Sequence, residues 1–126
     1  MTDKIRATIL VVDDDKALTK LYSAALSTRG YRVLVAENGD EAITMAEMER
    51  PDLILLDIMM PEVHGLHVLD ILKSTGDLEE TKIIMLTALS DEKTKEKAIK
   101  LGAYDYIVKS ESSMAEIIDK VHRAVS

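Results

Sequence analysis

The sequence contains no cysteine among its 126 residues, which excludes both a disulfide framework and a thiolate metal site. No apolar run approaches the ~20 residues that a membrane-spanning helix needs. The N-terminus becomes acidic too soon after a short apolar run to be a signal peptide. We therefore expect a cytoplasmic protein that has no membrane partner.

Positive charge is scarce: 16 Lys and Arg stand against 23 Asp and Glu, and the formal net charge is −7 at pH 7. Nucleic-acid binding generally needs a basic surface, so no direct contact with nucleic acid is expected. In contrast, 47% hydrophobic and 31% charged residues are typical of a globular chain. The length predicts a single domain with one compact core over residues 1–126.

Five short aliphatic runs alternate with segments of helical period. Read as strands, the runs cover residues 7–12, 31–36, 52–56, 82–86 and 104–108. They show no polar alternation and are joined by helices, which predicts parallel strands covered on both faces. The predicted fold class is therefore α/β, a doubly wound (βα)5 sheet of five parallel strands.

The helical segments carry signals for their ends and for their buried faces. Asn38 with Glu41 and Ser113 with Glu116 resemble capping boxes. The glycines expected at helix C-termini are Gly30, Gly76 and Gly102. The apolar stripe of the first helix, which could also line a cofactor pocket, is assigned to the core; its members are Leu18, Leu21, Tyr22 and Ala25.

Acidic residues follow two of the predicted strands. Asp13, Asp14 and Asp15 follow the first strand and Asp57 follows the third. Ligands of open parallel sheets bind at the carboxyl ends of the strands, so neighbouring first and third strands would gather these carboxylates. An oxygen-only cluster favours Mg²⁺ or Mn²⁺. Alternatively, the first three aspartates cap the next helix, which explains Asp15 but leaves Asp57 unexplained.

The fourth and fifth strands end in Thr87 and Lys109. Each residue alone is a weak signal, because a terminal threonine usually contacts backbone and a lone lysine is usually solvated. Both lie at the same edge as Asp57, however. A hydroxyl and an ammonium beside a metal-bound carboxylate would form a receptacle for a phosphoryl group.

The stretches ILVVDDD, LILLDIMMP followed by Gly65, IIMLTA and YDYIVK are similar to the motifs of the receiver domain of two-component response regulators, of the single-domain chemotaxis type. The similarity spans nearly the whole chain. It implies a flavodoxin-like sheet of order 2-1-3-4-5 and a single receiver domain over residues 1–126 without an output domain.

The resemblance also implies roles for individual residues. Asp57 would accept a phosphoryl group from a sensor histidine kinase or a phosphotransfer protein. The ligands implied for Mg²⁺ are Asp14, Asp57 and the Met59 carbonyl directly, with Asp13 acting through water. Thr87 and Lys109 would hold phosphate oxygens. The protein would not be an enzyme in the usual sense, although it would assist its own phosphorylation and dephosphorylation.

Signal output is implied by the same resemblance. Thr87 and Tyr106 would form the switch that remodels the face built by the fourth helix, the fifth strand and the fifth helix. That face would bind a downstream protein target, with the protein a monomer or a weak dimer that forms on phosphorylation. The fourth helix has few apolar anchors, Ala98, Ile99 and Leu101, and is expected to be the least firmly packed.

Ser110 departs from the family pattern, which has a proline after the lysine, joined by a cis bond. A cis bond costs about 0.5–1 kcal/mol before proline but roughly 2.5–4 kcal/mol before other residues. We therefore predict a trans Lys109–Ser110 bond, a course for residues 110–113 unlike the family's, and a Lys109 side chain that still reaches the cleft.

Other function classes fit less well. The stretch VVDDDKALTK has no glycine, which excludes a Rossmann dinucleotide site and a P-loop. A metal-dependent phosphatase that uses an aspartyl phosphate normally carries two aspartates in a D-x-D arrangement after one strand, whereas here the acidic run and the candidate nucleophile Asp57 follow separate strands. A receiver-like binding module that works without phosphorylation is disfavoured by the intact Asp57, Thr87 and Lys109. His64 and His67 are interpreted as surface residues.

Overall fold

The computed structural model describes residues 5–58 and 64–126. Within those residues five strands form one parallel sheet of order β2-β1-β3-β4-β5. The strands are β1 (Thr8–Val12), β2 (Arg32–Ala36), β3 (Leu53–Leu56), β4 (Lys82–Thr87) and β5 (Asp105–Val108). The predicted (βα)5 architecture and the flavodoxin-like strand order are confirmed.

Helices alternate with the strands and begin at side chains that accept backbone N–H groups. The helices are α1 (Lys16–Ser27), α2 (Gly39–Glu49), α3 (Gly65–Ser74), α4 (Glu92–Lys100) and α5 (Met114–Val125). Their N-caps are Asp15, Asn38, His64, Asp91 and Ser113. The predicted capping box of Ser113 and Glu116 is reciprocal. The one predicted for Asn38 and Glu41 is incomplete: Asn38 accepts from the Glu41 N–H, but the Glu41 carboxylate accepts from the Asn38 side-chain amide instead of its backbone N–H. No described helix is both long and apolar enough to cross a membrane.

Apolar layers cover both faces of the sheet. In β1, Ile9 and Val11 face the layer of α1 and α5, whereas Leu10 and Val12 face the opposite layer, which includes Ala42 of α2, Val68 of α3 and Ala98 of α4. Successive strand residues point to opposite faces, so a strand covered twice must be apolar throughout. This explains the unalternating runs in the sequence.

One expectation about α1 and one about α3 are wrong. Leu21 is 57% exposed, because the buried face of α1 consists of Thr19, Tyr22 and Leu26. Neighbouring residues of a helix point about 100° apart, so Leu21 is turned away from the face that carries Tyr22. Gly76 begins a 3-10 turn, Gly76–Leu78, and α3 ends instead in an extended Thr75. Gly30 and Gly102 do have the positive φ of helix-terminating glycines.

The fourth helix contacts the rest of the molecule sparsely. Among its described residues, only Ala98 is buried. Ile99, expected to be an anchor, is 45% exposed. Asp91 accepts hydrogen bonds from the Lys93 N–H and the Thr94 hydroxyl. The prediction of a weakly packed α4 agrees with this burial.

Candidate functional site

Three aspartates gather at the carboxyl end of the sheet. One carboxylate oxygen from each of Asp13, Asp14 and Asp57 lies within 4.8 Å of the others. Asp13 and Asp57 are 4% and 5% exposed, whereas Asp14 is exposed. The adjacency of β1 and β3 causes this clustering, since the Asp57 N–H donates to the Val12 carbonyl at 3.1 Å. The predicted carboxylate cluster is thus formed.

Asp15 is directed away from the cluster and caps α1. Its Oδ1 accepts from the N–H groups of Ala17 and Leu18 at 3.0 and 3.2 Å. Its own N–H donates to Asp13 Oδ1 at 3.0 Å. The capping interpretation therefore holds for Asp15, and the cap also fixes the carboxylate of Asp13.

Lys109 brings the positive charge to this cleft. Its Nζ lies 2.6 Å from Asp13 Oδ2 and 3.6 Å from Asp57 Oδ2. Burial alone would lower the pKa of Lys109, but the hydrogen bond with Asp13 and the charge of Asp57 outweigh it and raise that pKa. The ammonium stays charged and, within the part of the chain that the structure describes, shares the cleft with the three carboxylates.

The described residues contain no cis peptide bond, and this includes the bond between Lys109 and Ser110. The predicted trans Lys109–Ser110 bond is therefore confirmed. Residues Lys109–Glu111 form a short 3-10 turn that directs the chain toward α5. The lysine nevertheless reaches Asp13 across the sheet edge, as predicted.

Thr87 and Tyr106 are linked through the backbone of Leu89. Thr87 is fully buried, and its Oγ1 accepts from the Leu89 N–H at 3.3 Å. The Tyr106 hydroxyl donates to the Leu89 carbonyl at 2.8 Å, and the tyrosine is 6% exposed. Burial raises the pKa of Tyr106, which keeps the hydroxyl a donor. A single residue thus connects the threonine with the aromatic ring.

Gly65 shapes the site through its missing side chain. A Cβ at this position would lie 2.4 Å from the Asp57 carbonyl oxygen and 2.5 Å from Ile58 Cα. The Gly65 N–H donates to the Ile58 carbonyl at 3.0 Å. Sequence reasoning gave Gly65 no role of its own; the available signal was a glycine shortly after an acidic strand end.

The remaining candidates are placed as follows. Met59, implied as a metal ligand, lies outside the described residues. His64 and His67 are exposed, which confirms the surface interpretation, and His64 Nδ1 caps α3 by accepting from the Leu66 N–H.

Known proteins are similar to this chain in sequence and in fold. A probable transcriptional regulator, ycf27, from Cyanophora paradoxa is 43% identical over 101 residues, which are 80% of this chain and 41% of that protein. The chain spans about half or less of the length of the first such relatives.

Solved structures match over nearly their whole length. The chemotaxis protein CheY4 of Vibrio cholerae is 28% identical with a TM-score of 0.87, covering 94% of this chain and 98% of that one. The BeF3-activated receiver domain of Klebsiella pneumoniae RstA is 30% identical with a TM-score of 0.86, covering 94% and 97%. The sequence model of the response regulator receiver domain matches residues 9–122. This chain belongs to the family of response regulator receiver domains.

Proposed function

We propose that this receiver domain is a phosphoacceptor that takes a phosphoryl group onto Asp57 from a sensor histidine kinase or a phosphotransfer protein. The observation that carries the proposal is the Lys109 ammonium, 2.6 Å from Asp13 and 3.6 Å from Asp57, in a cleft where three carboxylates meet. The ammonium can pair with an oxygen of a transferring phosphoryl group, and the excess of carboxylate charge calls for a bound cation.

Asp57 is the best nucleophile among the three aspartates. Both oxygens of Asp13 are engaged, one by the Asp15 N–H and one by Lys109. Asp57 directly follows the central strand β3 and lies at the cleft, 3.6 Å from Lys109 Nζ. One Asp57 oxygen forms the bond to phosphorus while the phosphorus–nitrogen bond of phosphohistidine breaks, and the electron pair stays on the imidazole.

The donor set fits a divalent cation such as Mg²⁺. The carboxylates of Asp13, Asp14 and Asp57 are hard oxygen ligands within 4.8 Å of one another, as Mg²⁺ requires. Asp14 and Asp57 would bind it directly and Asp13 through water, with the Met59 carbonyl as a proposed further ligand. The bound cation offsets the repulsion between the carboxylates and the phosphoryl group.

Thr87 and Lys109 are proposed to hold the phosphoryl oxygens. When the Thr87 hydroxyl turns to such an oxygen, it no longer accepts the hydrogen bond from the Leu89 N–H. The Leu89 backbone can then shift, and with it the carbonyl that accepts from the Tyr106 hydroxyl. Tyr106 is buried in this structure, at 6% exposure. Phosphorylation therefore stabilises this inward position rather than creating it.

The output face is proposed to lie on α4, β5 and α5. A cleft of about 400 Å³ separates α4 from α5 there, and its lining includes Lys95, Tyr106, Glu116 and Lys120. Because α4 buries only Ala98 among its described residues, it can move when the loop from Thr87 to Leu89 changes. A downstream protein target would bind more tightly to one of the two positions of α4, before or after this movement.

The test is incubation with acetyl phosphate and Mg²⁺, followed by intact-mass measurement. The wild type should gain one phosphoryl group, and Asp57→Asn should gain none. EDTA should abolish the gain, because the uncompensated carboxylates repel the donor. Full phosphorylation in EDTA would contradict the metal requirement. Sustained hydrolysis of many phosphoesters would instead favour a phosphatase, and an unphosphorylated wild type would favour a binding module.

A further inference from the structure

Asp15 is an acidic residue beside the cleft that the proposed chemistry does not use. It is exposed and lies outside the group of carboxylates that could share a cation. Its hydrogen bonds nevertheless run in two directions. The side chain accepts from the Ala17 and Leu18 N–H groups of α1 at 3.0 and 3.2 Å, and the backbone N–H donates to Asp13 Oδ1 at 3.0 Å. Asp15 therefore connects the start of α1 with the cleft.

Helix α1 gives this connection a firm support. Tyr22 and Leu26 on its buried face are 4% and 0% exposed, so the helix is packed against the sheet. The Thr19 N–H donates to the Asp15 carbonyl at 3.0 Å, which is the first hydrogen bond of the helix. Because the side chain and the carbonyl of Asp15 are both bound to α1, the helix sets the direction of the Asp15 N–H.

Asp13 passes this constraint on to the cleft. Its Oδ1 accepts from the Asp15 N–H, and its Oδ2 lies 2.6 Å from Lys109 Nζ. Hydrogen bonds to an ionised acceptor are roughly twice as strong as those between neutral groups. At 4% exposure, the Asp13 carboxylate has little water to replace a lost donor. A loosened turn at Asp15 would therefore release the Asp13 carboxylate from the orientation in which it meets Lys109.

We propose that Asp15 is a positioning residue for the cation site and acts through its N-cap on the carboxylate of Asp13. The inference rests on the proposed function, in which Asp13 binds Mg²⁺ through water, and adds to it a residue that does not touch the cation. The cap, rather than the negative charge, is the property that matters. Asparagine caps a helix about as well as aspartate, whereas alanine caps it poorly, so the two properties can be separated at this position.

The experiment is a calorimetric titration with MgCl₂. Asp15→Ala should bind Mg²⁺ about fivefold more weakly than the wild type, the factor equivalent to the ~1 kcal/mol of a typical N-cap. Asp15→Asn should restore the affinity to within about twofold of the wild type. Asn38→Ala is the matched control, because it removes the cap of α2, where Asn38 accepts from the Glu41 N–H at 2.9 Å. It should lose a similar stability in urea and keep the affinity of the wild type.

Amide hydrogen exchange tests the intermediate step without metal. The backbone hydrogen of residue 15 should exchange about fivefold faster in Asp15→Ala than in Asp15→Asn, after correction for the intrinsic rate of each residue. The positioning role would be overturned by an unchanged Mg²⁺ affinity in Asp15→Ala, by an equal loss in Asp15→Asn or Asn38→Ala, or by equal exchange at residue 15. A wild type that binds no Mg²⁺ would instead overturn the cation site of the proposed function.

Discussion

At the scale of single residues, the site depends on close approach as much as on charge. Lys109 and Asp57 supply the charges, but the backbone after Asp57 must pass directly under Gly65, where a Cβ would lie 2.4 Å from the Asp57 carbonyl oxygen. Backbone atoms cannot yield as a flexible side chain can. The close approach of the backbone that follows Asp57 therefore requires a glycine at position 65.

Gly65→Ala should accordingly impair both stability and phosphorylation. Forcing a methyl group into this contact should cost about 1–3 kcal/mol of unfolding free energy, and the displaced Asp57 should accept a phosphoryl group more slowly. The matched control is Gly76→Ala, where an added Cβ meets nothing within 4 Å. Urea denaturation and intact-mass kinetics measure the two effects. Equal behaviour of the two variants would show that the backbone relaxes freely.

At the scale of elements, the helices differ in how firmly their ends and faces are held. Helix α5 begins with a reciprocal capping box between Ser113 and Glu116. Hydrogen bonds from the backbone and the side chain of Ser113 lower the pKa of Glu116. A depressed folded pKa means that the carboxylate stabilises the fold above its unfolded pKa and that this contribution is lost as the pH falls through the folded pKa.

Glu116→Gln should therefore be less stable than the wild type near pH 7 and should approach it in acid. The glutamine side chain cannot carry the charge that favours the N-terminus of α5. Urea denaturation at pH 7 and near pH 3 measures the difference for both proteins. Glu111→Gln, outside that box, is the control. A difference between Glu116→Gln and the wild type that is independent of pH would contradict the electrostatic account.

Helix α4 is the element expected to report phosphorylation. It buries only Ala98 among its described residues, so its amide hydrogens should exchange readily and respond when Thr87 changes partner. Phosphorylation should alter exchange across residues 90–106. Asp57→Asn treated with acetyl phosphate is the control and should show no change. Identical exchange in the phosphorylated and unphosphorylated wild type would exclude this route to the output face.

At the scale of the whole molecule, the sequence predicted the sheet well because doubly covered strands must be apolar throughout. Asp13, Asp57, Thr87 and Lys109 were found from their positions after strands, since parallel order brings strand ends together. The exposure of Leu21 was missed, because a periodic stripe does not specify where a helix is centred on the sheet. The contact of Gly65 was also missed, because it depends on distances that no local pattern contains.

The acidic cleft also sets a balance between stability and function for the entire fold. Among the described residues, three carboxylates share the cleft with the ammonium of Lys109, so we expect their mutual repulsion to favour unfolding when no cation is bound. Asp14 is exposed and forms no ion pair within the described residues. Its charge can therefore be removed with little loss of packing.

Asp14→Asn should consequently be more stable than the wild type in EDTA, by about 1 kcal/mol after allowance for solvent screening. In saturating MgCl₂ the order should reverse, because a ligand that binds only the folded state adds about 2.7 kcal/mol at a concentration of 100 times its Kd, and the variant has lost a metal ligand. Urea denaturation with and without MgCl₂ measures both effects. Asp70→Asn removes an exposed charge outside the cleft and should leave the magnesium-dependent gain intact. If Asp14→Asn kept the full gain, Asp14 would not be a metal ligand, and the cation would have to be held by Asp13 and Asp57 alone among the three carboxylates.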